Sequence, residues 1–293
     1  MGHVKVAFVT NNVSDFWKIS EAGIRKAEKE LNVDCDFKMP PAGTAAEQKQ
    51  ILEDLISKGT TGIAISPVNP ANQTEVLNWA ARKVNLICHD SDAPQSKRLC
   101  YVGTNNYEAG KVAGKELMKA LPKGGKVMIF VGTLDAENAK DRNNGLREAI
   151  KDSKIQIIDV RTDNTDHIKA KANVEDTLNR YPDIAALVGL WSYNGPAIAE
   201  AVKAASKQNR VKIVCFDEED STLQAIKDSV IEATVVQKPF EFGYQSVKIL
   251  AALARKENAG IPVSKIIDTG VEVINKSNVD PFWARLKELR GTR

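Results

Sequence analysis

The stretch "VKVAFVTNNVSDFWK", residues 4–18, sets the terms on which the rest of the chain is read. Its first seven residues form an apolar, β-branched run of the length of a buried strand. Ser14-Asp15 then stands where a helix N-cap belongs, and Ile19, Ala22 and Ala27 fall toward one side of a helix over 15–31. A buried strand followed at once by a capped helix is half of a β-α-β unit. Units of that kind build a parallel sheet through right-handed crossovers.

Outward from this stretch the alternation continues. Strands are predicted at "VDCDFKM" (33–39), "GIAIS" (62–66), "NLICH" (85–89) and "LCYVG" (99–103), with helices at 44–58, 70–83 and 107–120. The turn-rich "LPKGGK" (121–126) interrupts the series, which then restarts. The second set is "VMIFVG" (127–132), "IQIIDV" (155–160), "IAALVGL" (184–190), "VKIVCF" (211–216) and "IEATVVQ" (231–237). The expected fold is therefore α/β, with two doubly wound parallel-sheet, Rossmann-like lobes that repeat an architecture without closely repeating a sequence. Neither half carries GxGxxG or GxxxxGK[ST], so the usual phosphate cradles are missing and no cofactor is expected.

The totals narrow the function classes. A chain of 293 residues has room for two domains. Its 41 basic and 38 acidic side chains nearly balance, at +3, which argues against a nucleic-acid partner. No stretch approaches the roughly 18 consecutive apolar residues of a membrane span. "MGHVKVAFVTNN" runs almost directly into a strand with no signal peptide. That fits either a cytoplasmic protein or an exported, periplasmic one expressed as its mature part with Met1-Gly2 added at the junction, and the second is favoured. Cys35, Cys88, Cys100 and Cys215 form no CxxC and read as buried thiols, with a Cys88–Cys100 bridge as the alternative in an oxidising compartment. His3, His89 and His167 are scattered, so no metal site is expected.

In an open parallel sheet, ligands bind outside the carboxyl ends of the strands. The residues at those ends are Phe16 and Trp17 after the first strand, and Asp90 and Asp92 after the fourth. In the second half they are Asn138 and Arg142, then Trp191, Tyr193 and Asn194, then Asp217 and Gln237. Singly, each has a plain structural reading: a turn cap for Asp90, core for Phe16 and Trp17, a surface ion pair for Arg142. Together they are flat aromatics, carboxylates, amides and one guanidinium, which is the mixture a monosaccharide needs. The C–H faces of a pyranose pack on aromatic faces, Asp accepts from its hydroxyls, and Asn and Arg donate to its oxygens.

The chain at this point resembles the type I periplasmic sugar-binding proteins of ABC importers, the ribose- and glucose-binding group. The resemblance runs from "VAFVTNNVSDFWKISEAG" to "IIDTGVEVI". It rests on the aromatic pair before the first helix, the aspartate ending the fourth strand, Arg142-x-x-Gly145, Phe216-Asp217 and Gln237-x-Pro239. It implies two lobes, 1–104 plus 238–268 and 105–237 plus 269–293, joined by three crossings near Thr104-Asn105, Gln237-Lys238 and Asp268-Thr269. Carried over by position, Phe16 and Trp17 pack on the sugar ring, Asp90 binds hydroxyls, and Arg142, Asp217 and Gln237 bind from the second lobe and hinge. Asn138 and Asn194 match the variant with "DSDAP" and "YNGPA", which looks closest to glucose-type binders.

Departures from the ribose binders leave the sugar open. Ser91 follows Asp90 where their pattern has Asp-Arg, with Asp92 expected to supply polar contacts instead. Ser66 replaces their asparagine at the end of the third strand, and Thr165 stands for their second-lobe aromatic. The second stacking face then falls to Trp191 or Tyr193, with Trp191 favoured. The resemblance implies a monomer that closes on a sugar and is read by a membrane permease, with a chemoreceptor as an additional reader. Two rival readings are the ligand core of a LacI-like regulator and a glycosidase using Asp90 and Asp217.

Overall fold

The computed structural model describes residues 4–134 and 136–291. The Met1-Gly2 junction lies outside the described residues. The chain divides into two compact units, residues 1–104 with 238–270 and 286–293, and residues 105–237 with 271–285. The third crossing falls after Gly270 in place of the expected Asp268, and residues 286–291 group with the first unit.

In the first unit, strands β1 (Val4–Val9), β2 (Val33–Lys38), β3 (Gly62–Ile65), β4 (Asn85–His89) and β5 (Tyr101–Gly103) alternate with helices α1 (Asp15–Leu31), α2 (Ala45–Ser57) and α3 (Pro70–Ala81). The Ser14 hydroxyl accepts from Phe16 N, so the cap read in the sequence starts α1. Thr44 and Asn69 cap α2 and α3 in the same way. In the second unit, β6 (Gly125–Val131), β7 (Ile155–Thr162), β8 (Ile184–Gly189), β9 (Lys212–Phe216) and β10 (Ala233–Val236) alternate with α5 (Glu137–Ile150), α6 (His167–Arg180), α7 (Asn194–Ala204) and α8 (Asp220–Lys227). Helix α4 (Asn106–Ala120) precedes them, and α9 (Pro239–Ala254) returns to the first unit.

Two short strands complete the sheets: β11 (Ile266–Asp268) and β12 (Glu272–Asn275), followed by α10 (Val279–Arg290). The strand orders are β11-β5-β4-β3-β1-β2 and β12-β10-β9-β8-β6-β7. Position for position the strand order is the same in both sheets. All pairs are parallel except β10–β12, which is antiparallel. The order within each set of five consecutive strands is 2-1-3-4-5, the doubly wound pattern whose ligands sit at the strands' carboxyl ends.

Alternation decides the two faces of the first sheet. Val6, Phe8, Ile87 and Val102 pack under α1 and α9, while Ala7, Val9, Leu86 and Cys88 pack under α2 and α3. Both faces are buried, which is why the strands read as continuous apolar runs. The same alternation separates Cys88 from Cys100. Cys88 N donates to Cys100 O at 2.9 Å, but Cys88 pairs in register with Tyr101, so the two side chains lie on opposite faces. The alternative of a bridge is thereby corrected: all four cysteines are buried free thiols. Burial pushes the Cys100 thiol up to about 11 and that of Cys215 up to about 12, so neither is a thiolate near neutrality. Among the described residues, no helix is long and apolar enough to cross a membrane.

Candidate functional site

The fourth strand of each sheet ends in an aspartate held the same way. Asp90 follows β4 with φ +57°, and Asp217 follows β9 with φ +66°. A left-handed backbone is costly for a residue with a Cβ, so each needs restraint from outside. Asp90 N donates to Val102 O at 3.2 Å, and its carbonyl accepts from the Tyr101 hydroxyl at 2.9 Å. Asp217 N donates to Val235 O at 2.9 Å, and its carbonyl accepts from the Thr234 hydroxyl at 2.7 Å. In each unit the neighbouring strand clamps the peptide on both sides, by unrelated side chains.

The carboxylates are steered too. Asp90 Oδ2 accepts from the Ser66 hydroxyl at 2.9 Å and from Asn11 Nδ2 at 3.3 Å, and Asn11 also donates to Ser66 Oγ at 3.1 Å. Asp217 Oδ1 accepts from Gln237 Nε2 at 3.0 Å, while Oδ2 lies 3.6 Å from Arg142 Nη1. Gln237, expected as a ligand contact, therefore acts first on Asp217.

Arg142 is 2% exposed and held through its Nε and Nη1. Its Nε donates to Asn106 Oδ1 at 2.9 Å, its Nη1 to Leu190 O at 2.7 Å, and the guanidinium lies 4.4 Å from the centre of the Phe216 ring. Such a fork is fixed before any ligand arrives. Nearby, Trp191 is half-buried against the backbone of Gly132; a Cβ there would sit 2.0 Å from the indole Cζ3. Asn138 Oδ1 accepts from Trp191 Nε1 at 3.3 Å. Tyr193 is less available: its hydroxyl donates to Asp163 Oδ1 at 2.5 Å, and its ring stacks on His167 with centroids 4.6 Å apart.

In the first unit Phe16 is half-buried, tilted against Phe242 at 6.2 Å. Trp17, expected as a second plate, is instead core: it is 2% exposed, edge-on to Phe8 and His89, and its indole N–H donates to Asn12 Oδ1 at 3.0 Å. His89 backs this cluster, stacked on Phe8 at 3.8 Å with Nε2 3.0 Å from Val9 O. Burial lowers its pKa to about 3, so it is neutral near pH 7.

Two further expectations are corrected. Asp92 does not face the strand ends as an acceptor. It grips Arg98, with Arg98 Nη2 donating to Oδ2 at 2.6 Å and Arg98 Nε to Oδ1, while Ala93 N donates to Oδ1 at 2.7 Å. Arg98 Nη1 in turn donates to Lys265 O at 3.3 Å, beside the start of β11. Asn194 is buried and turned inward: Oδ1 accepts from Trp191 N at 3.0 Å, and Nδ2 donates to Asp163 Oδ2 at 3.4 Å. The structure thus brings Asn138, Arg142, Trp191, Tyr193, Asn194, Asp217 and Gln237 into one connected set in the second unit, and Phe16 and Asp90 to the strand ends of the first. Asn11, Asn106 and Asp163 were not singled out from sequence. Asn11 and Asp163 carried the same signal as the others, a polar residue just past a strand.

Residues 6–258 match a family described as a periplasmic binding protein domain. The chain is 29% identical over 261 residues to the D-allose-binding periplasmic protein of Escherichia coli (strain K12), covering 85% of this chain and 84% of that one. An arabinose binding protein from Geobacillus stearothermophilus superposes with a TM-score of 0.86 at 32% identity, over 96% of this chain and 99% of that one. A glucose-galactose binding protein from the same organism gives a TM-score of 0.85 at 28% identity, over 95% and 99%.

Proposed function

We propose, for a chain that belongs to the periplasmic binding protein family, that it is the solute-binding subunit of a sugar ABC importer, capturing one neutral monosaccharide. The family binds rather than transforms its ligands, so the chain is no enzyme. Relatives that carry the names of allose, arabinose and glucose-galactose binders support the sugar class. An aldohexose such as glucose is our preferred ligand, with a pentose as the second choice.

The observation that carries this reading is the repeated clamp on Asp90 and Asp217. Two carboxylates held in a strained backbone, each with one oxygen steered by an amide, are acceptors fixed ahead of use. Sugar hydroxyls are the neutral donors that such acceptors suit. In this reading Arg142 donates to ring or hydroxyl oxygens, Trp191 stacks on one C–H face and Phe16 on the other. Asp90 and Phe16 belong to one unit and Arg142, Asp217 and Trp191 to the other. A ligand that touches both sets would favour a closed arrangement about the three crossings by its differential affinity. A permease would read that closed form, and the protein would act as an exported monomer. A dissociation constant of about 1 μM corresponds to about −8 kcal/mol, within reach of one stacked ring and several charge-assisted hydrogen bonds.

A thermal-shift screen against allose, ribose, arabinose, glucose, galactose and matching sugar acids tests the proposal. A rise in Tm with one neutral sugar and none with the acids is expected. No response to any monosaccharide at millimolar concentration would refute it.

A further inference from the structure

We propose that Asp163 is a positioning residue that locks the Trp191 plate in place, through Tyr193, Asn194 and the backbone under the indole. The inference rests on the sugar-binding reading only for what Trp191 is used for. Asp163 is 1% exposed, yet it carries a carboxylate that no ion pair among the described contacts accounts for. Its partners are all on one errand. Oδ1 accepts from the Tyr193 hydroxyl at 2.5 Å and from Thr165 N at 2.8 Å, and Oδ2 accepts from Asn194 Nδ2 at 3.4 Å. Asn194 passes the restraint on, since its Oδ1 accepts from Trp191 N. Tyr193 passes it on through its ring, edge-on to Trp191 at 6.4 Å and 66°.

The backbone around Asp163 closes the circuit. Asp163 N donates to Val131 O at 3.3 Å and Asn164 N donates to Gly132 O at 2.8 Å. Gly132 is the surface on which the indole lies. The same short turn therefore grips both the seat of Trp191 and the loop that carries it. That turn is strained: Asn164 and the β-branched Thr165 are both left-handed, at φ +57° and +64°. Consecutive left-handed residues persist only where surroundings impose them, and here the Thr165 N–H on Asp163 is the imposing contact. A buried carboxylate with neutral donors makes strong hydrogen bonds that an amide in its place would not reproduce. Thr165 stands where the resemblance leads one to expect an aromatic, so Trp191 has no second plate from this loop, and Asp163 fixes the one it has.

The test uses Asp163→Asn and Tyr193→Phe, each alone and in a Trp191→Ala background. Trp191 emission, taken as the signal lost on Trp191→Phe, is recorded without ligand together with its quenching by acrylamide. Dissociation constants are measured for the neutral sugar that the wild type binds. The expected result is a red-shifted, at least twofold more quenchable Trp191 in both single variants and about tenfold weaker sugar binding. In the Trp191→Ala background neither substitution should weaken binding further. Unchanged Trp191 emission, or an equal loss of affinity when Trp191 is absent, would overturn the inference. If Asp163→Asn fails to fold, Tyr193→Phe alone decides it. If no sugar binds the wild type, the sugar reading fails while the ligand-free emission still decides the role of Asp163.

Discussion

Asp90 and Asp92 sit two residues apart, the first proposed as a ligand acceptor and the second spent on Arg98, and mutation should separate them. Asp92→Ala leaves the buried Arg98 guanidinium without its carboxylate, so stability should fall by about 3 kcal/mol in urea unfolding while sugar affinity stays within twofold. Asp217→Asn keeps the size of the side chain but removes the charge; binding should weaken at least tenfold, and Tm should fall too because buried Arg142 loses the carboxylate 3.6 Å from its Nη1. His89 adds a pH dependence of its own. Its folded pKa of about 3 lies below the unfolded value, so the unfolded chain takes up the proton first. Stability is then whole above about pH 6.5 and is lost as pH falls from there toward 3, by about 2 kcal/mol between pH 6.5 and 5. His89→Gln should flatten that slope in urea midpoints measured across the range; an unaltered slope would remove His89 as its source. At this scale sequence went only part of the way. It pointed to the strand-end polar residues, but a carboxylate left to a proposed ligand and one that accepts from Arg98 look the same in a string of letters.

At the scale of elements, the long strands and helices were legible because both sheets are buried on both faces. β4 is read at its observed bounds, and α1 at both ends, since an apolar run and a hydroxyl cap are local signals. β11 and β12 were missed. At three and four residues, with β11 largely exposed, they lack the length that marks a strand, and only pairing with β5 and β10 makes them so. A close helix crossing was equally hidden. A Cβ on Gly110 of α4 would lie 2.2 Å from Arg142 O of α5, and one on Gly145 would lie 1.9 Å from Tyr107 O. Gly145 entered the sequence reading only as part of a motif, yet its lack of a side chain lets α5 approach α4 closely enough to place Arg142. Gly145→Ala must push the helices apart. We expect a lower Tm and weaker sugar binding together, whereas a shift in Tm alone would show that Arg142 tolerates the displacement.

For the molecule as a whole, the repeated α/β architecture is what the sequence announced most clearly, because the alternation restarts after residue 126 and each half must bury its own sheet; the strand order itself came from the structure. The family likeness was legible for the same reason: its elements are spread along the chain, and their agreement outweighs any single one. What the letters could not reveal was which unit's polar groups are spent internally, as with Asn194, Asp163 and Asp92, since that depends on backbone geometry at the strand ends. The account's central claim is that clamped Asp90 and Asp217, with Arg142 and Trp191, form the acceptor, donor and plate set for a neutral monosaccharide. Isothermal titration calorimetry of the wild type and Asp217→Asn with the sugar identified by thermal shift tests it most directly. The account expects one site per chain, a dissociation constant in the micromolar range or below, and at least a tenfold loss in the variant; equal affinity in the two proteins would contradict it.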